Sequence, residues 1–556
     1  MWKRLFPASE WLSGYTVKIL GNDAIAGVTL AAYAIPVSLA YSMLAGLPPQ
    51  YGIYGYLLGG LFYAMLGTGR QLAIGPTSAI SLLIGVTIAG MANGDVQRWA
   101  DIASLTALVF AVMSILAYLM RLSGIINFIS ETVLLGFRAG AAFAIGLTQL
   151  PKLFGLPGGG ESFYERLITL FHQLPETNLT VFIFGLSAIA VLIAGEKIFP
   201  GRPIAIIVVI ISIILVSATP LGEAGFNTVG ILPSGLPHFH FPSIRVRDVD
   251  GVIPLALACF LLAYIESVSA AKTLAQKNGY EINPRQELLA LGAANLATAL
   301  GQGYPVSGGL SQSAVNEKAG AKTPVSLVFA SAVIALCLLF LTGLLKDLPN
   351  VILACIVLVA IRGLVDVKEF IHLWKIHRDD FVIAMIALVG VLVFGILKGV
   401  MLAAIITLIL LIKAVSNPHV AFLGRIPGTR RYSDMSRHPD NESIAGALLF
   451  RVEASVLYFN VDNIRNVVWL KILDSDSSLK AVVMDLGTTP YVDRAGAKMI
   501  KRLYLDLQAK GISFRIAEAR AKVRDMLRSE EIEHLVGHIS RMDSIDDIVD
   551  ELIMKG

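Results

Sequence analysis

Two short stretches of this sequence place a proline ahead of small, hydroxyl-bearing residues at the start of an apolar run. One is AIGPTSAIS (73–81), and the other lies in GQGYPVSGGLSQSAVNEKAGAKT (301–323), so that Pro76 and Pro305 occupy matching places. Each run gives a helix of only about 14 residues, whereas a helix that crosses a bilayer needs roughly 20. Short, proline- or glycine-interrupted segments at matching places in two halves indicate a binding site near the middle of a membrane.

A helix that begins inside a membrane directs unpaired N–H groups and a partial positive charge at whatever lies before it, and therefore suits an anion. Glycine at such a start lets an oxyanion approach the backbone closely. The predicted anion-binding residues are those of the two helix starts, with Ser307 as the expected cap: Thr77, Ser78, Ala79, Ser307, Gly308, Gly309, Leu310 and Ser311. The alternative is that these small residues only allow helices to cross closely in lipid.

A carboxylate, Glu266, interrupts the apolar run FLLAYIESVSAAKTL. A charge inside a membrane segment is costly, so this side chain should face the protein interior and is a functional candidate by default. Because the apolar surroundings favour its neutral form, we predict that Glu266 binds and releases the proton that is coupled to transport. The alternative is a structural carboxylate that is bonded to the helix starts or to Lys272.

The composition predicts the setting of these residues. Hydrophobic residues make up 55% and charged residues 15% of the 556 residues, and the mean hydropathy is +0.70. Long, nearly uncharged runs between 24 and 415 indicate a polytopic membrane protein, whereas the charge-rich region that follows indicates a soluble domain. The net charge of +4 gives no sign of a nucleic-acid partner. The three cysteines lie in apolar runs without metal-ligand spacing.

Fourteen membrane segments are predicted, at about 25–44, 51–68, 77–91, 100–120, 124–150, 180–198, 203–219, 252–273, 286–301, 306–319, 324–345, 350–365, 380–397 and 399–415. With a cytoplasmic amino terminus, the inner loops contain more Lys and Arg than the outer loops, so both termini are predicted to be cytoplasmic. Seven segments followed by seven reverse direction across the membrane. We therefore predict an all-α membrane domain built as a seven-plus-seven inverted repeat, with the site at the repeat interface.

Four regions follow from this pattern. They are an amphipathic cytoplasmic amino terminus (1–23), a transmembrane domain (24–415), a polar linker (416–442) and a small α/β domain (443–556). In the last region ALLFRVEASVLYF, LKAVVMDLG and ISFRIAEA predict strands, and helices are predicted over 495–510, 519–528 and 543–554.

The segment GLPPQYGIYGYLLGGLFYAMLGTGRQLAIGPTSA (46–79) resembles the signature of the SulP family of sulfate permeases and related anion transporters. PSGLPHFHFP (233–242) and ALGAANLATALGQGYPVSGGLSQSAVN (290–316) are similar to further parts of that family, and the carboxyl-terminal region resembles a STAS domain. The resemblance implies a core domain (first to fourth and eighth to eleventh segments) that slides against a gate domain, with the anion between the third and tenth segments. It also implies a homodimer.

The resemblance bears on individual residues as well. Several proton-coupled members have an acidic residue at the position of Glu266, and Ala270 stands where sodium-linked relatives have a hydroxyl, which favours H⁺ as the coupling ion. Arg138 replaces a small polar residue, and is predicted either to balance the substrate's charge or to pair with Glu131. Val37 stands where many members have a glutamine, and Tyr33, Ser38 and Tyr41 are the candidate contacts in its stead. Arg138 and Gln312, the latter in the place of an arginine of some animal relatives, are further candidates.

The STAS-like loop reads Asp493-Arg494-Ala495-Gly496, without the serine that is phosphorylated in related regulators. The domain is therefore expected to serve dimerisation or the docking of a cytoplasmic protein partner, or to stabilise the intracellular side of the protein. No nucleotide loop, nucleophile triad or metal cluster is evident, so neither enzyme activity nor a cofactor is predicted. The preferred function is proton-coupled symport of a small anion, sulfate first, in a bacterial inner membrane. A C4-dicarboxylate or bicarbonate substrate, an uncoupled exchanger or channel, and a STAS-mediated membrane regulator remain alternatives.

Overall fold

The computed structural model describes residue 7 and residues 14–92, 95–124, 131–160, 162–199, 203–219, 225–245, 248–475, 479–537, 539–540 and 542–555. The chain divides into two compact units, Met1–Thr407 and Leu408–Gly556. Most of the predicted amphipathic amino terminus, 1–23, lies outside the described residues. The first helix begins at Val17, where the Thr16 hydroxyl accepts a hydrogen bond from the Ile19 amide at 3.4 Å.

Each of the fourteen predicted membrane segments corresponds to a helix. They are α1 (Val17–Leu44), α2 (Gln50–Leu66), α3 (Ser78–Ala92), α4 (Val96–Leu119), α5 (Glu131–Phe154), α7 (Leu179–Ile198), α8 (Ile204–Ala218), α9 (Val249–Asn278), α10 (Pro284–Leu300), α11 (Leu310–Lys318), α12 (Val325–Leu336), α13 (Asn350–Ile361), α15 (Arg378–Phe394) and α16 (Ile396–Ser416). Helix α12 continues as a π-helical turn and a 3₁₀ turn to Leu345. The all-α polytopic fold is thus confirmed.

Two further helices, α6 (Phe163–Gln173) and α14 (Val367–Ile376), lie where the sequence predicted only connections. Both are short and amphipathic, so a search for long apolar runs does not find them. Helix α6 begins with a capping box in which the side chains of Ser162 and Glu165 satisfy each other's backbone amides.

Seven helical stretches among the described residues are long and apolar enough to cross a membrane: Val17–Leu44, Val96–Leu119, Thr132–Phe154, Leu179–Ile198, Val249–Asn278, Val325–Leu345 and Asn350–Ile376. Helix α3 is apolar but has only 15 residues, and α11 has 9. Outward-facing apolar side chains such as Ile183, Ile210 and Val393 are at least half exposed, as contact with lipid tails requires.

The helices of the first unit pack in two groups. In the first group α1 packs against α2, α11 and α12, α10 packs against α2 and α4, and α9 packs against α3 and α4. In the second group α5 packs against α6, α13 and α15, α7 packs against α8 and α13, and α14 packs against α15. Contacts of α1 with α8 and α13, and of α3 with α5, join the groups. These are the predicted core and gate.

The two short helices begin at a common backbone ribbon. Strand β1 (Ile74–Gly75) pairs antiparallel with β2 (Ser307–Gly308), so that Gly75 lies opposite Ser307 and Ile74 opposite Gly308. A Cβ atom on Gly75 would lie 2.4 Å from the ring of Tyr56, so only glycine fits there without a shift. Helices α3 and α11 thus start from one fixed point inside the first group.

The second unit contains a five-stranded sheet in the order β4-β3-β5-β6-β7, in which β5, β6 and β7 are parallel and β3 runs antiparallel to β4 and β5. Its elements are β3 (Val420–Arg425), β4 (Tyr432–Asp434), β5 (Ala447–Val452), α17 (Val461–Asp474), β6 (Ala481–Asp485), α18 (Arg494–Gln508), β7 (Ser513–Ala517), α19 (Ala521–Ser529), α20 (Glu533–Val536) and α21 (Ile545–Lys555).

The prediction of a linker over 416–442 is wrong in one respect, because this stretch supplies strands β3 and β4. The apolar residues of β3 are buried against β5, and the proline and glycine that suggested a linker form the turn between the two strands. The first predicted strand also ends early, at Val452, and the residues after it form a loop before α17.

Candidate functional site

A cavity of about 560 Å³ lies between the two helix groups of the first unit. It is bordered by helices α1, α3, α9 and α11 of the first group and by α5, α13 and α14 of the second. Ten of the residues predicted from sequence line it: Tyr33, Tyr41, Thr77, Ser78, Arg138, Glu266, Gly309, Leu310, Ser311 and Gln312. The starts of the two short helices therefore face one shared space.

Four other predicted residues do not line this cavity. The Ser38 hydroxyl donates to the Ile35 carbonyl of its own helix at 2.8 Å, so it is not available to a ligand. Ala79 lies one residue beyond the cavity wall on α3. Ser307 and Gly308 lie behind the wall in β2, where the Gly308 amide donates to the Ser267 hydroxyl at 2.7 Å. The prediction that Ser307 caps α11 is wrong, because the N-cap is Gly309, which makes no side-chain hydrogen bond; Ser307 and Gly308 instead fix the start of α11 through the paired strand.

Glu266 joins the two helix starts. Its Oε2 accepts a hydrogen bond from Ser307 Oγ at 3.1 Å and lies 3.5 Å from Thr77 Oγ1, and these two hydroxyl oxygens are 3.3 Å apart. Thr77 and Ser307 occupy matching places ahead of α3 and α11. Lys272, the alternative partner considered for Glu266, is exposed. The carboxylate is thus bonded at the junction of the two half-helices, with one side open to the cavity.

Gln312 lines the cavity, but its side-chain amide is hydrogen-bonded to other residues of the protein. Its Nε2 donates to the carbonyl oxygens of Ala73 at 3.0 Å and Ser307 at 3.2 Å, and its Oε1 accepts a hydrogen bond from the Tyr56 hydroxyl. The side chain therefore ties α11 to the residues just before both helix starts. With both amide atoms bonded, Gln312 acts in this conformation as a positioning group.

Arg138 faces the site from the opposite helix group. It is half-buried on α5 and lines the same cavity as Glu266. The alternative pairing with Glu131 cannot be described, because the side chain of Glu131 lies outside the described part of the structure. Arg138 supplies positive charge on the gate side of the cavity, where the first group offers helix starts and hydroxyls.

Two acidic residues that the sequence did not predict, Asp366 and Glu369, also line the cavity. They belong to the start of α14, where the Asp366 carboxylate caps the helix by accepting the Glu369 amide at 3.1 Å. The spacing of these two residues indicates a helix start in the sequence. Their presence in the cavity depends on how α14 packs, which no local pattern reveals.

A second buried carboxylate, Glu287 on α10, shows what a structural role looks like in this protein. It accepts hydrogen bonds from Tyr63 Oη at 2.8 Å, from Thr68 Oγ1 at 2.5 Å and from the amides of Thr68 at 2.8 Å and Gly69 at 3.3 Å. These donors fasten the chain after α2, and Glu287 is fully buried away from the cavity. Glu266, by contrast, has two hydroxyl neighbours and faces open space.

In the second unit, Asp493 is a helix cap. Its Oδ1 accepts the Gly496 amide at 2.8 Å at the start of α18, and its Oδ2 accepts the Tyr458 amide at 2.8 Å. Arg494, in the place of the absent serine, pairs with Glu530 at 2.8 Å. This loop is therefore held by ordinary capping and surface charge contacts.

Comparison with known proteins agrees with the geometry. The model of the Sulfate permease family matches residues 20–387, and that of the STAS domain matches residues 438–545. A probable sulfate transporter of Mycobacterium tuberculosis is 30% identical over 524 residues, which are 94% of this chain and 93% of that protein. High affinity sulfate transporter 1 of Stylosanthes hamata is also 30% identical, over 96% of this chain and 84% of its own length.

Solved structures share the fold. The murine Slc26a9 anion transporter in the inward-facing state superposes with a TM-score of 0.90 at 21% identity, covering 99% of this chain and 94% of that one. The transmembrane domain of the cyanobacterial bicarbonate transporter BicA gives a TM-score of 0.62 at 20% identity, over 71% of this chain and 98% of that one. With a family match over most of its membrane unit and full-length relatives, the chain belongs to the sulfate permease family of anion transporters, and its carboxyl-terminal unit is a STAS domain.

Proposed function

We propose that this protein is a proton-coupled symporter of sulfate, which binds between the starts of α3 and α11. The observation that carries the proposal is the position of Glu266, whose carboxylate is bonded to Ser307, lies beside Thr77 and lines the cavity. Sulfate is the named substrate of the curated relatives that are similar over nearly the whole chain.

The hydrogen bonds suggest how a proton and an anion bind together. While Glu266 is ionised, the hydroxyls of Ser307 and Thr77 donate to it, and its negative charge repels an anion in the same cavity. A proton on Glu266 removes that charge and makes the carboxyl group a donor. The Thr77 hydroxyl is then free to turn towards the cavity, where the first-turn amides of α3 and α11 and the guanidinium of Arg138 complete the binding of an oxyanion.

Transport then requires that the loaded site reaches the other side of the membrane. Thr77, Glu266 and Ser307 all belong to the first helix group, whereas Arg138 belongs to the second. In the proposed cycle the first group carries the anion and the proton past the second. The protein works as a homodimer with both termini in the cytoplasm of a bacterial cell, where the STAS domain serves dimerisation or the docking of a protein partner.

Uptake of radioactive sulfate into proteoliposomes with an inward proton gradient tests the proposal, with fumarate and bicarbonate as competitors. We expect gradient-driven accumulation by the unaltered protein, its loss in Glu266→Gln, and normal accumulation in Glu281→Gln, which alters an exposed carboxylate in the same way. Sulfate flux that ignores the gradient and survives Glu266→Gln would contradict proton coupling and favour an exchanger or channel. Flux of another anion without sulfate flux would contradict the substrate assignment.

A further inference from the structure

Two smaller cavities lie at the opposite end of the same helices. They have volumes of about 270 and about 300 Å³ and share Leu82, Val86 and Arg166 in their walls, so they form one adjoining space, here called the second vestibule. The central cavity touches the amino-terminal end of α3 at Ser78, whereas the second vestibule touches α3 from Leu82 onward. One helical turn, roughly 6 Å along the axis, therefore separates the two spaces along α3.

The second vestibule lies between the two helix groups, as the central cavity does. The first group contributes the carboxyl-terminal ends of α1 and α3, and the second contributes the end of α5, helix α6 and the end of α15. An anion that leaves the central site towards this end of α3 would meet this space. The residues that line it are therefore in a position to determine how anions enter and leave.

Two cations, Lys152 and Arg166, line the second vestibule. Lys152 lies in the last turn of α5, and Arg166 in the first turns of α6. Among the residues that the structure describes, neither cation lies within ion-pair distance of a carboxylate, and the charge of the preceding residue Glu165 acts on Arg166. Glu165, which also lines the space, has its carboxylate directed to the start of α6, where Oε2 accepts the Ser162 amide at 3.3 Å.

The backbone holds Arg166 in place. Its Nε donates to the Gly160 carbonyl at 3.0 Å, which fixes the guanidinium by one edge, and within the described part of the chain its terminal nitrogens have no acceptor. Gly160 has a φ of 95°, and a Cβ atom there would lie 2.8 Å from the Arg166 amide, so this contact requires glycine. Gln173 bonds both the amide and the carbonyl of Gly158, at 3.0 and 3.2 Å, and so fastens the same loop.

We infer that the second vestibule is a further anion-binding site, in which Lys152 and Arg166 receive the small oxyanion that the central site transports. This inference rests on the proposed function, since it assigns the same substrate class to a second place on its path. An ammonium and a fixed guanidinium in a confined, partly desolvated space favour a doubly charged oxyanion over water. Their charge also raises the local concentration of anions at the entrance.

A charge probe that does not depend on transport tests the inference first. Ala89 is exposed and lines the second vestibule, and the three native cysteines are buried, so Ala89→Cys provides a single accessible thiol. The measured quantity is the rate of modification by an anionic methanethiosulfonate reagent divided by the rate with a cationic one. We expect this ratio to be roughly tenfold higher at Ala89→Cys than at Gly343→Cys, an exposed position at the same end of the helices. Replacing Lys152 and Arg166 by glutamine should abolish the difference, and Lys346→Gln should not.

The second measurement is the apparent KM for sulfate added from the side of the second vestibule, in phosphatidylcholine vesicles. In Lys152→Gln/Arg166→Gln we expect this KM to rise roughly tenfold and the KM from the opposite side to stay unchanged. An unchanged reagent ratio, or a KM that rises equally from both sides, would overturn the inference. So would an effect that appears only with anionic lipids, because the cations would then bind headgroups. If sulfate is not transported but the ratio of modification rates is as expected, sulfate is the wrong substrate, whereas the anion-binding role of the second vestibule is supported.

Discussion

Ser307 Oγ lies 3.1 Å from Glu266 Oε2, and this hydrogen bond joins residues 41 positions apart at the junction of two half-membrane helices. The bond connects the group that is proposed to carry the proton with a residue that lies two positions before Gly309, the N-cap of the helix that is proposed to hold the anion. If the two act together, removing one partner must alter the effect of removing the other.

Ser307→Ala should therefore reduce gradient-driven sulfate uptake by roughly tenfold, because a hydrogen bond to a charged group is worth about 1.5–3 kcal/mol. In the Glu266→Gln background, measured by sulfate exchange without a gradient, the same substitution should have a clearly smaller effect. Ser326→Ala removes another buried hydroxyl, bonded within its own turn, and serves as the control. Additive effects of the two substitutions would show that Ser307 and Glu266 act separately.

Gly75→Ala should disturb the site without changing any polar side chain. The new Cβ atom would lie 2.4 Å from the ring of Tyr56, whose hydroxyl bonds Gln312, so the ring and the start of α11 must shift. We expect a loss of about 1–3 kcal/mol in stability and a loss of sulfate transport. Gly90→Ala, at a position with no atom within 4 Å of the added group, should change neither. Melting in detergent and uptake in vesicles measure the two effects, and normal transport by Gly75→Ala would contradict a fixed ribbon.

The ion pair between Arg98 and Asp248 is buried, with 4% of each side chain exposed. Arg98→Met should destabilise the protein by about 3–5 kcal/mol, because it leaves a charged carboxylate without its partner. Replacing both residues, as in Arg98→Met/Asp248→Leu, should be less destabilising than the single change. Thermal unfolding of the purified protein measures both. A double variant that is less stable than Arg98→Met would indicate that Asp248 has a role beyond this pair.

Asp493→Ala should loosen the start of α18 in the STAS domain. The carboxylate accepts the amides of Gly496 and Tyr458, and loss of a helix cap costs about 0.5–2 kcal/mol. In the full-length Asp493→Ala variant, the amides of residues 495–497 should exchange hydrogen faster than in the unaltered protein. The control is Asp506→Ala, which removes a pairing partner of Arg465 further along the same helix and should leave the exchange of these amides unchanged. Equal exchange in the two variants would contradict the capping role.

The sequence alone predicted the fold because each membrane helix is encoded locally as an apolar run. It also predicted much of the cavity wall, since the starts of α3 and α11 are two recognisable short motifs around Pro76 and Pro305. Helices α6 and α14 were missed because they are short and amphipathic, although Ser162 with Glu165, and Asp366 with Glu369, have the spacing of helix caps.

Other features could not be predicted from local patterns. Asp366 and Glu369 reach the cavity only because α14 packs beside it, and Gln312 proves to be bonded on both amide atoms only when Tyr56 and Ala73 are placed next to it. Glu287 satisfies the same sequence rule as Glu266, a carboxylate near an apolar run. The number and kind of its donors, which the sequence does not show, distinguish the two.

The ribbon that pairs Gly75 with Ser307 has a consequence for how such a protein can evolve. Its hydrogen bonds join backbone atoms, so the spacing of the two helix starts does not depend on the side chains that face the cavity. Mutations at Ser78, Leu310 or Ser311 can therefore change the size and polarity of the pocket while the scaffold persists. One inherited frame can in this way give rise to lineages that select different anions, each a few substitutions from the next.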